Sequence, residues 1–290
     1  MTTHTVTRQS FSLIAIILFL AKCSPSHSLQ PNSTPTSVHE ATKQQIQDGW
    51  VPKQSEGSFR YSIYDSSVVT IGADSIHSLR TNVTTIYSFT LTPLSDSFTL
   101  HAKVESVRNN ARTQIQKIVV DTSISPEFQA IISSTGHISS LTGNKATSCV
   151  KGIDPTATRI FELRLEYPRK RIKIGDKWSD TVSTITCRGK TPLIQQNIRS
   201  YELIEFSSLR QRNVAKIYRT VSAVFKGKST DPKNHLTVNG SGTNESMLYT
   251  DQTTGVLLES NGSSHFSLIV RTSRGIFLVT QSLITHLQLQ

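Results

Sequence analysis

The chain has 290 residues, 36% of them apolar, so it can bury one large core or two modest ones, and the number of domains stays open. Only 18% are charged while Ser, Thr and Asn abound, as on β-sheet surfaces. The net charge of +11 suits nucleic acid, anionic lipid or acidic glycan, and the export signal described next argues against nucleic acid.

The first 22 residues have the pattern of a secretory signal. A polar start containing Arg8 precedes an apolar run from Phe11 to Ala21. A membrane-spanning helix needs about 20 apolar residues, and Lys22 ends this run well short of that. We therefore expect residues 1–22 to be a signal peptide, and the protein to be exported to the bacterial cell envelope, either anchored in the outer membrane or periplasmic.

Cys23 is the candidate lipidation site. The segment Leu20-Ala21-Lys22-Cys23 resembles a bacterial lipobox, although Lys22 replaces the small residue that usually precedes the cysteine. This resemblance implies a membrane partner through acyl chains on Cys23. Residues 23–57 are rich in Ser, Pro, Thr and Gln and are expected to form a disordered tether. Ordinary signal cleavage, for instance after Ser28, would leave no anchor.

The other two cysteines, Cys149 and Cys187, form an even pair in an oxidising compartment. A disulfide between them would close a loop of about 38 residues and stabilise the fold by about 3–4 kcal/mol. The alternative is a redox or nucleophilic thiol, which no CxxC spacing or nearby His supports. We predict a structural disulfide.

Residues 58–290 alternate between apolar and polar positions, which is typical of half-buried strands. The pattern predicts an all-β domain, mostly an antiparallel meander of about 10–12 strands curved into a half-barrel or barrel, with one or two short helices. Hairpin turns are expected at Ser133–Gly136, Asp251–Gly255 and Thr272–Gly275, each with a glycine in its last position.

Two of these turns raise the question of duplication. When Thr135-Gly136 is aligned with Thr254-Gly255, alternating segments before each turn also align. Two similar halves, about 58–150 and 175–290, are one interpretation, and chance likeness between strands is the other.

The region between these halves is where a helix competes with a strand. Ile160, Leu163 and Tyr167 have helical spacing between Pro155 and Pro168. The odd-numbered positions from 161 to 167 also alternate as in a strand. We favour a short helix that covers one open end or one face of the sheet.

The most distinctive segment follows this candidate helix. Gly175-Asp176-Lys177-Trp178 predicts a tight turn, in which Asp bonds the backbone and Trp anchors the next strand. Aromatic ligand binding by Trp178 is the functional alternative. The neighbouring cations either face solvent while Ile172 and Ile174 face the core, which we favour, or contact anionic headgroups: Arg169, Lys170, Arg171, Lys173 and Lys177.

A family resemblance starts from this segment. Gly-Asp-x-Trp-x-Asp-Thr at residues 175–181, with Gly136–Gly143 and Thr254–Ser260, resembles uncharacterised bacterial exported proteins and lipoproteins of similar length. That family implies no activity. The expected meander under a helix also looks like the half-barrels of LolA- and LppX-type carriers, which hold acyl chains, but an architectural likeness does not establish function.

Catalytic and metal-binding patterns are missing from the sequence. It contains no HExxH, CxxC, GxSxG or GxGxxG motif, so we expect no metal, no cofactor and no enzymatic activity. Asp176 and Asp180 could pair as acids, but cap and surface roles are favoured. Chance is the favoured explanation of five Asn-x-Ser/Thr triplets, with glycan attachment as the alternative, at Asn32, Asn82, Asn239, Asn244 and Asn261.

Two functions follow as hypotheses. The leading one is a non-enzymatic envelope protein, expected to be a lipoprotein, whose curved sheet encloses a lipid or another hydrophobic ligand. The alternative is a structural or interaction module with a solid core and no ligand.

Overall fold

A computed structural model describes residues 49–72, 76–109, 127–143, 159–188, 191–230 and 235–290. Its elements are β1 Gly57–Gly72, β2 Ile76–Leu94, β3 Ser97–Asn109, β4 Glu127–Ser133, β5 Ile138–Gly143, α1 Arg159–Leu163, β6 Lys177–Arg188, β7 Thr191–Leu209, β8 Arg212–Lys228, β9 Thr237–Asp251, β10 Leu257–Thr272 and β11 Gly275–Leu289.

All eleven strands belong to one open antiparallel sheet, in the order β5-β4-β3-β2-β1-β11-β10-β9-β8-β7-β6. The prediction of an all-β meander is therefore confirmed. Strands β1 to β5 form one run of hairpins and β6 to β11 form another. The two runs meet where β1 pairs with β11, from Tyr61 opposite Leu289 to Gly72 opposite Leu278. First and last strands thus lie together in the middle of the sheet.

The two Thr-Gly turns have the same local geometry. Gly136 and Gly255 have positive φ angles of 91° and 67°. The third residue after each glycine, Ser139 or Leu258, is the extra residue of a β-bulge. The three predicted hairpins are therefore confirmed, including the one at Thr272–Gly275. Similarity of the two halves as wholes stays a prediction.

The predicted helix is present but short. Residues Arg159–Leu163 are helical, and residues 164–168 form no regular secondary structure. The helix buries Ile160 and Leu163, as the helical spacing predicts. The segment that follows it buries Leu165 and Tyr167, as the alternating pattern predicts.

The core lies on one face of the sheet, here called the inner face, in two clusters. The first core cluster joins residues from both ends of the strand order, including Phe89, Leu100, Phe128, Tyr201, Leu203, Ile217, Leu248 and Leu287. The second core cluster includes Val69, Phe225, Val238, Phe266, Leu268, Val279 and Leu283. Side chains of β4 and β7 can share the first cluster only because the sheet is strongly curved.

Residues 49–56, here called the strap, cross the inner side of the sheet at one end. Trp50 Nε1 donates to the carbonyl of Gln252 in the β9–β10 turn, 2.8 Å away. The backbone N–H of Gln54 donates to the carbonyl of Ser134 in the β4–β5 turn. The prediction that the tether extends to residue 57 is wrong for this stretch, since Trp50 is buried in the first core cluster.

Two glycines of β9 make room for large side chains of β10. Gly242 lies opposite Phe266 and Gly240 lies opposite Leu268. A Cβ on Gly242 would lie only 2.1 Å from Cδ1 of Phe266, so the ring lies across the glycine and meets Phe225 at a centroid distance of 5.4 Å. The glycines therefore shape the second core cluster.

Three glycine substitutions separate backbone strain from steric overlap. Gly136→Ala should lower the free energy of unfolding by about 3 kcal/mol, because its φ is positive and its Cβ would approach the carbonyl O of Leu165 to 1.9 Å. Gly175→Ala, with positive φ and open space, should cost about 1–2 kcal/mol. Gly72→Ala has neither defect and is the control. Urea denaturation measures all three, and equal losses would contradict this assignment.

Candidate functional site

Polar side chains form a belt across the inner face between the two core clusters. Strand β1 shows the order, with Tyr61 and Ile63 in the first cluster, then Asp65 and Ser67, then Val69 in the second cluster. We call this belt the inner polar band: Asp65, Ser67, Thr81, Thr85, Asp180, Arg199, Arg219, Asn244, Ser246, Ser260, Ser264 and Thr285. Burial of polar groups on this scale requires partners for nearly all of them.

The strongest contact in the band joins β6 to β7. The carboxylate of Asp180 accepts two hydrogen bonds from Arg199, at 2.5 and 2.7 Å, and a third from the hydroxyl of Tyr201 at 3.2 Å. Both charged side chains are buried. Asp180 and Arg199 are direct cross-strand partners in the register, which explains the fork-to-fork geometry. Asp180 is thus one member of a buried ion pair and has no pairing with Asp176.

A second buried pair fixes α1 to the sheet. Arg159 at the start of α1 donates to Asp65 at 2.6 Å, and the hydroxyl of Thr285 donates to the other carboxylate oxygen. Arg199 also donates to the carbonyl of Phe161 in α1. Through these bonds the helix covers part of the inner face, which supports the favoured interpretation for residues 159–163.

Arg164 differs from these two arginines. Its Nη1 donates to Oε1 of Gln54 in the strap at 2.7 Å, and no ion pair among the described residues includes it. The side chain is buried. Burial lowers the pKa of Arg164, because the guanidinium loses its hydration. Burial also raises the pKa of nearby Tyr61 to about 12, an effect that the positive charge of Arg164 opposes.

Gln281 on β11 is a buried polar residue beside the second core cluster. It is 2% exposed and lies directly opposite Val69 on one side and Phe266 on the other. Neither its Oε1 nor its Nε2 has a hydrogen-bond partner among the described residues. An amide that is buried with both polar atoms unpaired costs several kcal/mol by the usual estimate of about 1–3 kcal/mol per group. This is the place where a bound polar group would be most stabilising.

The Gly-Asp-x-Trp turn has the structural role that we favoured. Asp176 Oδ2 accepts from the backbone N–H of Lys173, and Gly175 adopts a φ of 87°. Trp178 stacks on Tyr201 with ring centroids 5.3 Å apart, and its Nε1 donates to the carbonyl of Glu166 at 2.9 Å. The aromatic side chains of this region therefore pack on one another. Ligand binding at Trp178 stays a prediction.

The basic cluster lies on the outside. Arg169, Lys170, Arg171 and Lys173 are exposed, while Ile172 is buried and bridges to Trp50. Lys177 pairs with Glu202 at 3.0 Å. The expectation that Ile174 also faces the core is wrong, since it is 48% exposed. The turn at Gly175 follows at once and takes the chain out of the alternating pattern.

Several predicted sites fall beyond what can be placed. Cys23, Cys149 and Asn32 lie outside the described residues. The backbone of Cys187 pairs with Pro192 in the β6–β7 hairpin, and the disulfide stays a prediction. Asn244 points inward, where its amide donates to Ser264 at 2.8 Å, so it is occupied within the inner polar band.

Comparison of the sequence with family models and with curated proteins found no match. Within the described ranges no helix is long and apolar enough to cross a membrane. The same residues contain no group of three or more His, Cys, Asp or Glu that could hold a metal ion. The resemblances to exported lipoproteins and to LolA- and LppX-type carriers stay predictions.

Sequence reasoning missed the residues that define this site. Gln281 continues the apolar side of an alternating segment, whereas Arg164 lies between Leu163 and Leu165, where the pattern predicts a solvent-facing polar residue. Trp50 was the one available signal for the strap, because a Trp within a Ser-, Pro- and Gln-rich stretch indicates that this stretch packs against the domain.

Tyr61 gives a testable pH dependence. Its pKa is 10.0 in an unfolded chain and about 12 here, so its contribution to stability is complete below pH 10 and is lost as pH rises through 12. The free energy of unfolding, measured in urea at successive pH values, should fall less steeply over this window in Tyr61→Phe than in the wild type. Tyr64→Phe, on the outer face of β1, is the control. Parallel curves for the wild type and Tyr61→Phe would contradict the prediction.

Proposed function

We propose that the protein is a non-enzymatic binding protein for a hydrophobic ligand, such as a lipid, that carries a polar group. The ligand lies on the inner face at the second core cluster. The observation that carries this proposal is the unpaired amide of Gln281, buried among apolar side chains. An apolar core gains nothing from an amide there unless the amide has a partner.

The chemistry of the ligand follows from this environment. An amide offers both a donor and an acceptor, so it fits a hydroxyl, an ester or another amide. The surrounding side chains, including Val69, Phe266 and Leu283, fit a hydrocarbon part. A hydrocarbon ligand with one polar group therefore matches the surroundings of Gln281.

The alternative function is an interaction module of the cell envelope. The sheet is open, and its edge strands β5 and β6 have no second neighbour among the described strands. An unpaired edge such as the twelve residues of β6 can accept a strand from a partner. This alternative requires no ligand on the inner face.

We further propose that the protein works in the bacterial cell envelope, anchored through Cys23. The support is the signal-peptide pattern of residues 1–22 and the resemblance of Leu20–Cys23 to a lipobox. An acyl anchor would hold the protein near membranes, which are a source of hydrophobic ligands.

Replacement of Gln281 tests the binding function. Organic extracts of the purified wild type, analysed by mass spectrometry, should contain an apolar molecule with a polar group. Gln281→Leu should bind it about ten-fold more weakly, because one or two hydrogen bonds are lost. The ligand-free variant should be at least as stable as the wild type, since a buried unpaired amide is removed.

Gln129→Leu on the exposed face of β4 is the matched control and should retain the ligand. A wild type without any apolar molecule would refute the binding function and favour the interaction module. Equal retention by Gln281→Leu would show that Gln281 has no part in binding.

Metabolic labelling with a radioactive fatty acid tests the anchor. The wild type expressed in bacteria should take up label, and Cys23→Ala should not. Cys187→Ala is the control for nonspecific thiol acylation and should label normally. A wild type that never labels would mean ordinary signal cleavage.

A further inference from the structure

We propose that Arg164, Tyr167 and Thr250 form a second, separate binding site, which holds the carboxylate of a small-molecule ligand inside the first core cluster. This inference is independent of the ligand proposed at Gln281, since it concerns other residues in the other cluster.

The first support is a buried cation without an anion. Arg159 and Arg199, the arginines that contact α1, each bond a carboxylate. Arg164 has only the neutral Oε1 of Gln54 as a side-chain acceptor among the described residues. A guanidinium has five N–H donors and stays charged, so most of its donors are left for another acceptor. Taking such a charge out of water is costly unless an anion accompanies it.

The second support is a pair of buried hydroxyls that no third group satisfies. Tyr167 is 3% exposed and Thr250 is 0% exposed. Neither hydroxyl makes a hydrogen bond of ordinary geometry to the described residues, although the Thr250 hydroxyl lies close enough to interact with that of Tyr167. The Tyr167 ring is held in place by Trp50, with centroids 5.3 Å apart, and its backbone N–H donates to the carbonyl of Thr135. The hydroxyl of Tyr167 is therefore held in a fixed position and remains able to bond a ligand.

The three groups are neighbours. Burial raises the pKa of Tyr167, and both the Thr250 hydroxyl and the positive charge of Arg164 act against that rise. The contacts agree. Gln54, the acceptor of Arg164, lies beside Gly136, as does the carbonyl of Leu165. Trp50 packs on Tyr167 and bonds the carbonyl of Gln252, two residues after Thr250.

The available groups select the chemistry of the ligand. The N–H groups of Arg164 can only donate, and both hydroxyls can donate. A planar guanidinium matches the two oxygens of a carboxylate better than it matches any neutral group. A buried water could bond the hydroxyls but would leave the charge of Arg164 uncompensated. The carboxylate could belong to a small free acid or to the head of a fatty acid.

The test uses variants that remove only hydroxyls. Acetate and oleate are titrated at pH 7 into the mature full-length protein, and binding is followed by calorimetry and by the thermal unfolding midpoint. We expect at least one of these acids to bind the wild type and raise the midpoint. The double variant Tyr167→Phe with Thr250→Val should bind that acid at least ten-fold more weakly while unfolding, without acid, no lower than the wild type.

The matched control is Tyr249→Phe with Thr243→Val. Both residues lie on the outer face of β9, the strand that contains Thr250, and this variant should bind the acid like the wild type. Binding of acetate identifies a small free acid, and binding of oleate alone identifies a fatty-acid head. If neither acid shifts the wild type, or if the double variant binds as tightly as the wild type, the inference is overturned. Gln281→Leu should leave this binding intact, so failure here is distinguishable from failure of the proposed function.

Discussion

The curvature of an open sheet is the constraint on which the rest of this structure depends. Strands β4 and β7 lie near opposite ends of the strand order, and their side chains still share the first core cluster. No hydrogen bonds between β5 and β6 close the described sheet, so something else must hold it curved. The strap does this, because Gln54 bonds the β4–β5 turn and Trp50 bonds the β9–β10 turn.

Curvature also concentrates polar groups where they must be paired. Asp180 with Arg199, and Asp65 with Arg159, meet that demand through short charged hydrogen bonds. Such pairs add little net stability, but breaking either one leaves an isolated buried charge. They therefore fix the position of α1 over the sheet. Most of the buried polar groups described are therefore paired, and the few that lack partners are the places where we propose binding.

Local features of the fold could be predicted from sequence, and long-range ones could not. Strand alternation and the Thr-Gly turns depend on neighbours a few residues apart, so the meander was predictable. The pairing of β1 with β11 joins residues more than two hundred positions apart, and nothing in either strand specifies it. The Asp180–Arg199 pair needed the β6–β7 register, which turn chemistry left open. Arg164 was hidden because the alternating pattern places it on the solvent side, whereas the structure buries it.

The central place of β11 sets the order in which this molecule can be assembled. A polypeptide is made from its N-terminus, so β1 to β5 are synthesised long before β11, the second neighbour of β1. Until then one edge of β1 has unpaired backbone N–H and C=O groups, which can pair with other chains. Completion requires a contact between distant parts of the chain, which is slow. One edge of β1 therefore gains its hydrogen-bonding partner only after the last strand of the sheet has been synthesised.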